Sequence, residues 1–183
     1  MYYCENQGNN GAPVLPIFPF SFLSMRIAGI QMSAGPDVEK NVARGVEMAN
    51  VAAEKGARVI GFPELCLTPW FPRMEDRSRF SLAHEVSSEA ISVFVKTSVK
   101  NQVVLPFFEK NADRYFNSAV VIDCGRIAGL YRKVHVPDLP LYKEQFYFSP
   151  GDTRFPVFET SRGRIGVQIC WDNLFPEGSR ILA

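Results

Sequence analysis

Two short apolar runs, Arg26–Met32 (RIAGIQM) and Arg58–Phe62 (RVIGF), bracket one amphipathic stretch, and that order constrains the fold more than any other feature of the chain. Between the runs Val38, Val42, Val46, Ala49 and Ala53 recur at helical spacing, with Asp37 placed to cap the helix start and Gly56 to stop it. Strand, helix, strand in this order is the unit of a layered α/β domain. A second amphipathic helix is predicted over 86–100, with Ile91, Phe94, Val95 and Val99 on one face. Gln102–Phe108 (QVVLPFF) predicts a strand with Pro106 near its end. Asn117–Ile122 and Arg126–Val134 predict two more strands around Asp123-Cys124-Gly125, a hairpin signal. A proline-marked loop spans 136–156, and Arg164–Cys170 (RIGVQIC) predicts the last strand.

Composition narrows the function classes. The chain has 183 residues, 46% of them hydrophobic, enough for one domain with a real core. Twenty Lys+Arg against 19 Asp+Glu leave a net charge of +1, which gives no electrostatic case for nucleic acid or an anionic membrane surface. No run approaches the length of about 18 apolar residues that a membrane helix needs. The four cysteines, Cys4, Cys66, Cys124 and Cys170, are scattered and form no CxxC pair, so reduced thiols and a cytoplasmic location are expected rather than a disulfide or zinc scaffold. His84 and His135 are far apart in sequence, and no metal site is expected; His135 is expected to make a structural hydrogen bond. No glycine-rich phosphate loop occurs.

The two ends differ from the middle. Residues 1–24 hold a single charge, Glu5, and three prolines, Pro13, Pro16 and Pro19, among Phe18, Phe20 and Phe22. A secretory signal needs a basic start and an unbroken apolar helix, and both are missing. The segment reads as a poorly ordered leader or as upstream sequence, with Met25 as the expected natural start. At the other end, Pro176 to Ala183 reads as the opening of a helix with no stop signal.

Three chemically useful side chains sit where apolar strands are predicted to stop: Glu64, Lys133 and Cys170. A carboxylate, an ammonium and a thiol are the parts needed for acyl transfer through a thioester. The thiolate is the nucleophile, Glu64 is placed to act as its base, and Lys133 is placed to lower the thiol pKa and stabilise an oxyanion. Taken singly, each residue also fits a bland role: a buried small hydrophobe, a strand cap, a solvated edge lysine. Spacing alone does not decide between the two. Cys66, two residues after Glu64, is read as packing; Cys124 and Cys4 have no chemical partner in sequence.

The flanking residues do decide. Gly61-Phe62-Pro63-Glu64-Leu65, Tyr131-Arg132-Lys133-Val134-His135-Val136-Pro137, and Gly166-Val167-Gln168-Ile169-Cys170-Trp171-Asp172 with Phe175-Pro176-Glu177 resemble the nitrilase-like carbon–nitrogen hydrolase superfamily, over about residues 26–183. Phe116-Asn117-Ser118-Ala119 and Phe148-Ser149-Pro150-Gly151-Asp152 match further landmarks. The resemblance implies an α/β fold of the α-β-β-α sandwich type and association into homo-oligomers. It implies Glu64 as general base, Lys133 as oxyanion stabiliser, Cys170 as nucleophile, Glu144 as a second glutamate orienting Lys133 or substrate, and the Trp171 N–H as a further oxyanion donor. Asp172 and Glu177 are expected to fix the turn and helix start after Cys170. No cofactor is implied, and the substrate class is a small amide or N-carbamoyl compound; the alternatives are a nitrilase or acyltransferase using the same three residues, or a truncated, non-catalytic chain. The run from Cys170 to Glu177, with Pro140–Glu144, is most similar to N-carbamoylputrescine amidases and related N-carbamoyl amidohydrolases. After Leu65, however, Cys66-Leu67-Thr68-Pro69-Trp70-Phe71-Pro72 departs from the aromatic-aromatic-Cys-Gln segment usual there. Family members are longer than this chain. The expectation is a leader over 1–24 and, over 25–183, the first part of a hydrolase domain cut short at its C-terminus.

Overall fold

The computed structural model describes residues 25–183, and the leader and Cys4 lie outside the described residues. β1 (Ile27–Gly29) and β2 (Val59–Gly61) pair in parallel through α1 (Val38–Glu54). The Asp37 carboxylate caps α1 by accepting the Lys40 N–H at 3.1 Å. Gly56, at φ 88°, lets the chain leave the helix in a conformation that favours glycine. α2 (Glu89–Thr97) is shorter than the 86–100 predicted. Ser88 begins it and Ser98 ends it, after which the Asn101 N–H bonds the Ser98 carbonyl and turns the chain toward the sheet. Val99 therefore lies past the helix end and is 58% exposed instead of sharing the face of Ile91 and Phe94.

β3 (Gln102–Asn111), β4 (Arg114–Asp123) and β5 (Arg126–Arg132) complete a five-stranded sheet in the order β1-β2-β3-β4-β5. Cys124 and Gly125, both at positive φ, form the expected two-residue hairpin turn, and Ala112-Asp113 forms another that local sequence signals do not announce. Pro106 stands mid-strand rather than near the end of β3. The strand tolerates it because β2 stops at Gly61, opposite Val104. By alternation Pro106 faces the edge that β2 has vacated, where its carbonyl accepts the Cys66 thiol at 3.2 Å.

The sheet is covered on both faces, and strand alternation sorts the residues. Ile60, Val103, Leu105, Phe107, Val120 and Ile122 point to α1 and α2, meeting Val42, Ala49, Ile91 and Phe94. Ala119, Val121 and Tyr131 point the other way, onto Val167 and Ile169. Here β8 (Val157–Thr160) and β9 (Gly163–Gly166) form an antiparallel hairpin after the short β6 (Asp138–Leu139), β7 (Tyr142–Lys143) and α3 (Glu144–Tyr147). Gly129 on β5 has no room for a side chain beneath the Phe158 ring of β8, so the two layers touch backbone to ring. α4 (Pro176–Leu182) lies on the outer side of this second layer, with Leu182 against Gly166. The layers read α, β, β, α: an α-β-β-α sandwich. The predicted strand to Cys170 is corrected, because regular pairing ends at Gly166, where β8 has no residue left to pair. Among the described residues no helix is long and apolar enough to cross a membrane.

Candidate active site

Each chemically useful side chain is set where regular structure gives out. The Phe62 N–H follows β3 by bonding the Val104 carbonyl at 3.0 Å; the chain then turns through Glu64–Leu67 with Leu65 at φ 51°. Lys133 is the first residue past β5. Its N–H donates to Asn117 and its carbonyl accepts from Gly151, both at 2.8 Å. Glu144 opens α3, which is anchored by the Tyr147 hydroxyl, donating to the Met74 carbonyl at 2.6 Å, and by the cluster of Phe71, Phe108, Tyr147 and Phe148. Cys170 begins a 3-10 helix, Cys170–Leu174, just beyond the extended Ile169, and sits at φ 47°. Such a conformation is costly for a residue with a β-carbon and persists only where neighbours enforce it.

The Lys133 ammonium is fully buried and lies between two carboxylates, 2.9 Å from Glu64 Oε1 and 2.7 Å from Glu144 Oε2. Asn117 donates its amide to the same Glu64 oxygen at 2.7 Å. Burial alone pulls the lysine down, but Glu64 and Glu144 outweigh it and hold the ammonium above the ordinary lysine range. Burial pushes the Glu144 carboxyl up, against the pull of Lys133. Cys170 is an exposed residue, yet its thiol is held above its ordinary value, by partial desolvation first and then by the charge of Glu64; Lys133 works in the other direction and loses. The structure thus brings Glu64, Lys133, Glu144 and Cys170 into one cluster whose resting thiol keeps its proton. Lys133 does pull that thiol down, as expected of it, but burial and the charges of Glu64 and Glu144 outweigh the pull.

Trp171 follows Cys170 and is partly exposed; its N–H is in the first turn of the 3-10 helix, where no intrahelical acceptor exists. Cys66 lies in the core, its thiol pushed up to about 12 by burial, and is unreactive. Asp172 is buried and accepts from Tyr131, Ile169 and His135, in line with the turn-fixing role and the His135 hydrogen bond expected of the two residues. In sequence Asn117 is only a landmark. Its role comes from the β4–β5 pairing, which carries Asn117 beside Lys133 in a register that counting from the hairpin turn does not give.

Gly151 is the tightest point in the support of Lys133. A β-carbon there would overlap the Arg132 carbonyl and come within 2.9 Å of the Lys133 carbonyl oxygen. Gly151→Ala is expected to cost about 3 kcal/mol, the upper end of overpacking penalties, because backbone rather than a side chain must move. Urea unfolding measures it; a loss well under 1 kcal/mol would show that the loop simply swings away.

A layered α/β domain with acid, amine and thiol gathered beyond its strand ends defines a class of protein, and comparison with known proteins specifies it. The chain belongs to the carbon–nitrogen hydrolase family, whose model matches residues 26–183. It is 40% identical over 161 residues to an N-carbamoylputrescine amidase of Solanum tuberosum, covering 86% of this chain and 54% of that one. It is 36% identical to a citrullinase of Francisella tularensis, covering 87% and 57%. The fold is similar to that of a carbon–nitrogen hydrolase from Helicobacter pylori, with a TM-score of 0.79 at 31% identity, covering 86% and 56%. The chain spans about half the length of the curated relatives it matches.

Proposed function

We propose that the protein hydrolyses a non-peptide carbon–nitrogen bond of a small amide or N-carbamoyl amine through a thioester on Cys170. The observation that carries this reading is the Lys133 ammonium held between Glu64 and Glu144, with Cys170 near enough to feel the charge of all three. Glu64 takes the thiol proton as Sγ attacks the carbonyl carbon. Lys133 and the Trp171 N–H receive the negative charge that develops on the oxygen. Glu144 fixes Lys133 in place. Glu64 then returns the proton to the departing nitrogen, ammonia leaves, and Glu64 activates the water that cleaves the thioester. For an N-carbamoyl substrate this leaves a carbamic acid, which breaks down to amine and carbon dioxide. No residue in the sequence calls for a cofactor. The relatives named N-carbamoylputrescine amidase favour the N-carbamoyl class, while the segment Cys66–Pro72 leaves the amine open.

The test is ammonia release from a panel of N-carbamoyl amines, N-carbamoyl amino acids, ω-amides and nitriles. Release from carbamoyl or amide substrates is expected, with Cys170→Ala lowering it at least about a thousandfold, the scale of losing a nucleophile. Turnover that survives Cys170→Ala, or that occurs on nitriles alone, overturns the reading.

A further inference from the structure

The turn around the unfavourable backbone of Cys170 is tied by the Asp172 N–H on the Ile169 carbonyl and the Asn173 amide on the Cys170 carbonyl, both at 3.1 Å, and by the Asp172 carboxylate. Asp172 Oδ2 accepts the Ile169 N–H at 3.0 Å and the Tyr131 hydroxyl at 2.6 Å. Asp172 Oδ1 accepts the His135 N–H at 2.9 Å, and His135 Nδ1 lies 2.9 Å from the same oxygen. A carboxylate oxygen facing that nitrogen makes Nδ1 the proton-bearing one. Ile169 and Asp172 flank Cys170 and Trp171, so the carboxylate ties the two ends of the turn together. The imidazole is in turn stacked on Phe175 just past the 3-10 helix, with centroids 3.8 Å apart and planes 7° apart. His135 is two residues past Lys133. The same short segment therefore carries the ammonium and grips the turn that presents the thiol.

We propose that His135 and Asp172 are a positioning pair that holds Cys170 in its left-handed conformation and so aims the thiol at Glu64 and Lys133. The functional meaning rests on Cys170 being the nucleophile, but the geometry is testable without turnover. The titratable groups facing the thiol are Glu64, Lys133 and Glu144, and those facing Asp172 are Tyr131 and His135. If the pair lets go, the backbone relaxes and the thiol leaves the carboxylates that keep it protonated. It then behaves as an ordinary solvent thiol.

The experiment is iodoacetamide labelling of the full chain over pH about 6 to 10, the range that brackets ordinary thiols, read peptide by peptide by mass spectrometry. Cys124 is exposed and serves as the internal rate reference; Cys66 is buried and reports unfolding. In His135→Ala the Cys170 profile is expected to move to lower pH, with severalfold faster labelling at neutral pH, the gain in thiolate outweighing its lower nucleophilicity. His135→Asn, whose amide can still donate to Asp172, is expected to return most of the shift. Asp172→Asn, which cannot accept all these donors, is expected to move at least as far as His135→Ala. A Cys170 profile unchanged in His135→Ala overturns the proposal. So does a shift that appears only together with Cys66 labelling, because that marks loss of fold rather than of aim. A shifted profile in a chain that releases no ammonia from any substrate would count against the hydrolase reading alone.

Discussion

Lys133→Met destabilises the fold by about 3–5 kcal/mol at neutral pH, the cost of leaving a buried charge without its partner. Methionine fills most of the space of lysine and removes only the cation. What remains is Glu144, fully buried, and Glu64, mostly buried, turned toward the same vacated point. Replacing both members of a buried pair is far milder than replacing one. The double variant Lys133→Met with Glu144→Gln is therefore expected to recover a large part of the loss, and urea unfolding of the two singles and the double measures the coupling. The pH dependence has a definite sign. Glu144 is held above the usual carboxylate range, so its protonated form favours folding at low pH and that favour is withdrawn as pH rises through the folded value. Without Lys133 its pKa moves higher still, and the deficit of Lys133→Met shrinks on acidification. Lys133 is held above the ordinary lysine value of 10.5, so its contribution is complete below that pH and is lost as pH climbs through its raised folded value. Wild type should show that alkaline loss and Lys133→Met should not. Tyr131, also pushed upward by burial, titrates in both and cancels in the comparison. Equal urea midpoints for wild type and Lys133→Met would sink the argument.

How much of the fold is legible in the sequence depends on the range of the interactions. α1 is legible because its signals are local: apolar positions on one face, Asp37 before the first turn, Gly56 after the last. The Cys124-Gly125 hairpin is legible for the same reason. The neighbourhood of Lys133 is not legible from that hairpin. Counting back from the turn pairs Asp123 with Arg126 and Ile122 with Ile127, which would set Phe116 opposite Lys133. A bulge between Val121 and Ile122 shifts the register by one, pairs Ser118 with Arg132, and so brings Asn117 to the lysine. A one-residue slip turns a strand's faces over, and Gly129, paired with Val121 at the irregularity, is only a weak local hint of this one. Cys170 illustrates a second limit. The run RIGVQIC has the composition of a strand throughout, but pairing ends with the hairpin partner at Gly166, and Val167 and Ile169 are placed by contacts to Ala119, Val121 and Tyr131 across the layers. Glu144 came only with the family resemblance. It stands between a two-residue strand and the body of a four-residue helix, too little regular structure for any periodicity to register.

Glu64→Gln is expected to cut turnover by about a hundredfold to ten-thousandfold, the range for losing a positioned general base, while leaving the fold in place. The substitution is a clean one here. Glu64 Oε1 accepts both the Asn117 amide and the Lys133 ammonium, and a glutamine carbonyl can accept the same two donors from the same place. Shape and positioning survive, and the capacity to take and return a proton does not. The thiol supplies a second readout with the opposite sign. After burial, the charge of Glu64 does most to hold the Cys170 proton on, and Lys133 is the group that pulls it off. Neutralising Glu64 removes the upward push, so Cys170 should ionise at lower pH and react faster with iodoacetamide at neutral pH. The variant thus carries a more ionised nucleophile and is the poorer enzyme. Proton return to the departing nitrogen and activation of the water both need a carboxylate, and a readier thiolate supplies neither. If Glu64 served only to place Lys133, Glu64→Gln would keep near-normal turnover, and faster alkylation would come with faster acylation. If the thiol profile does not move, Glu64 does not face the sulfur, and the base must be sought elsewhere.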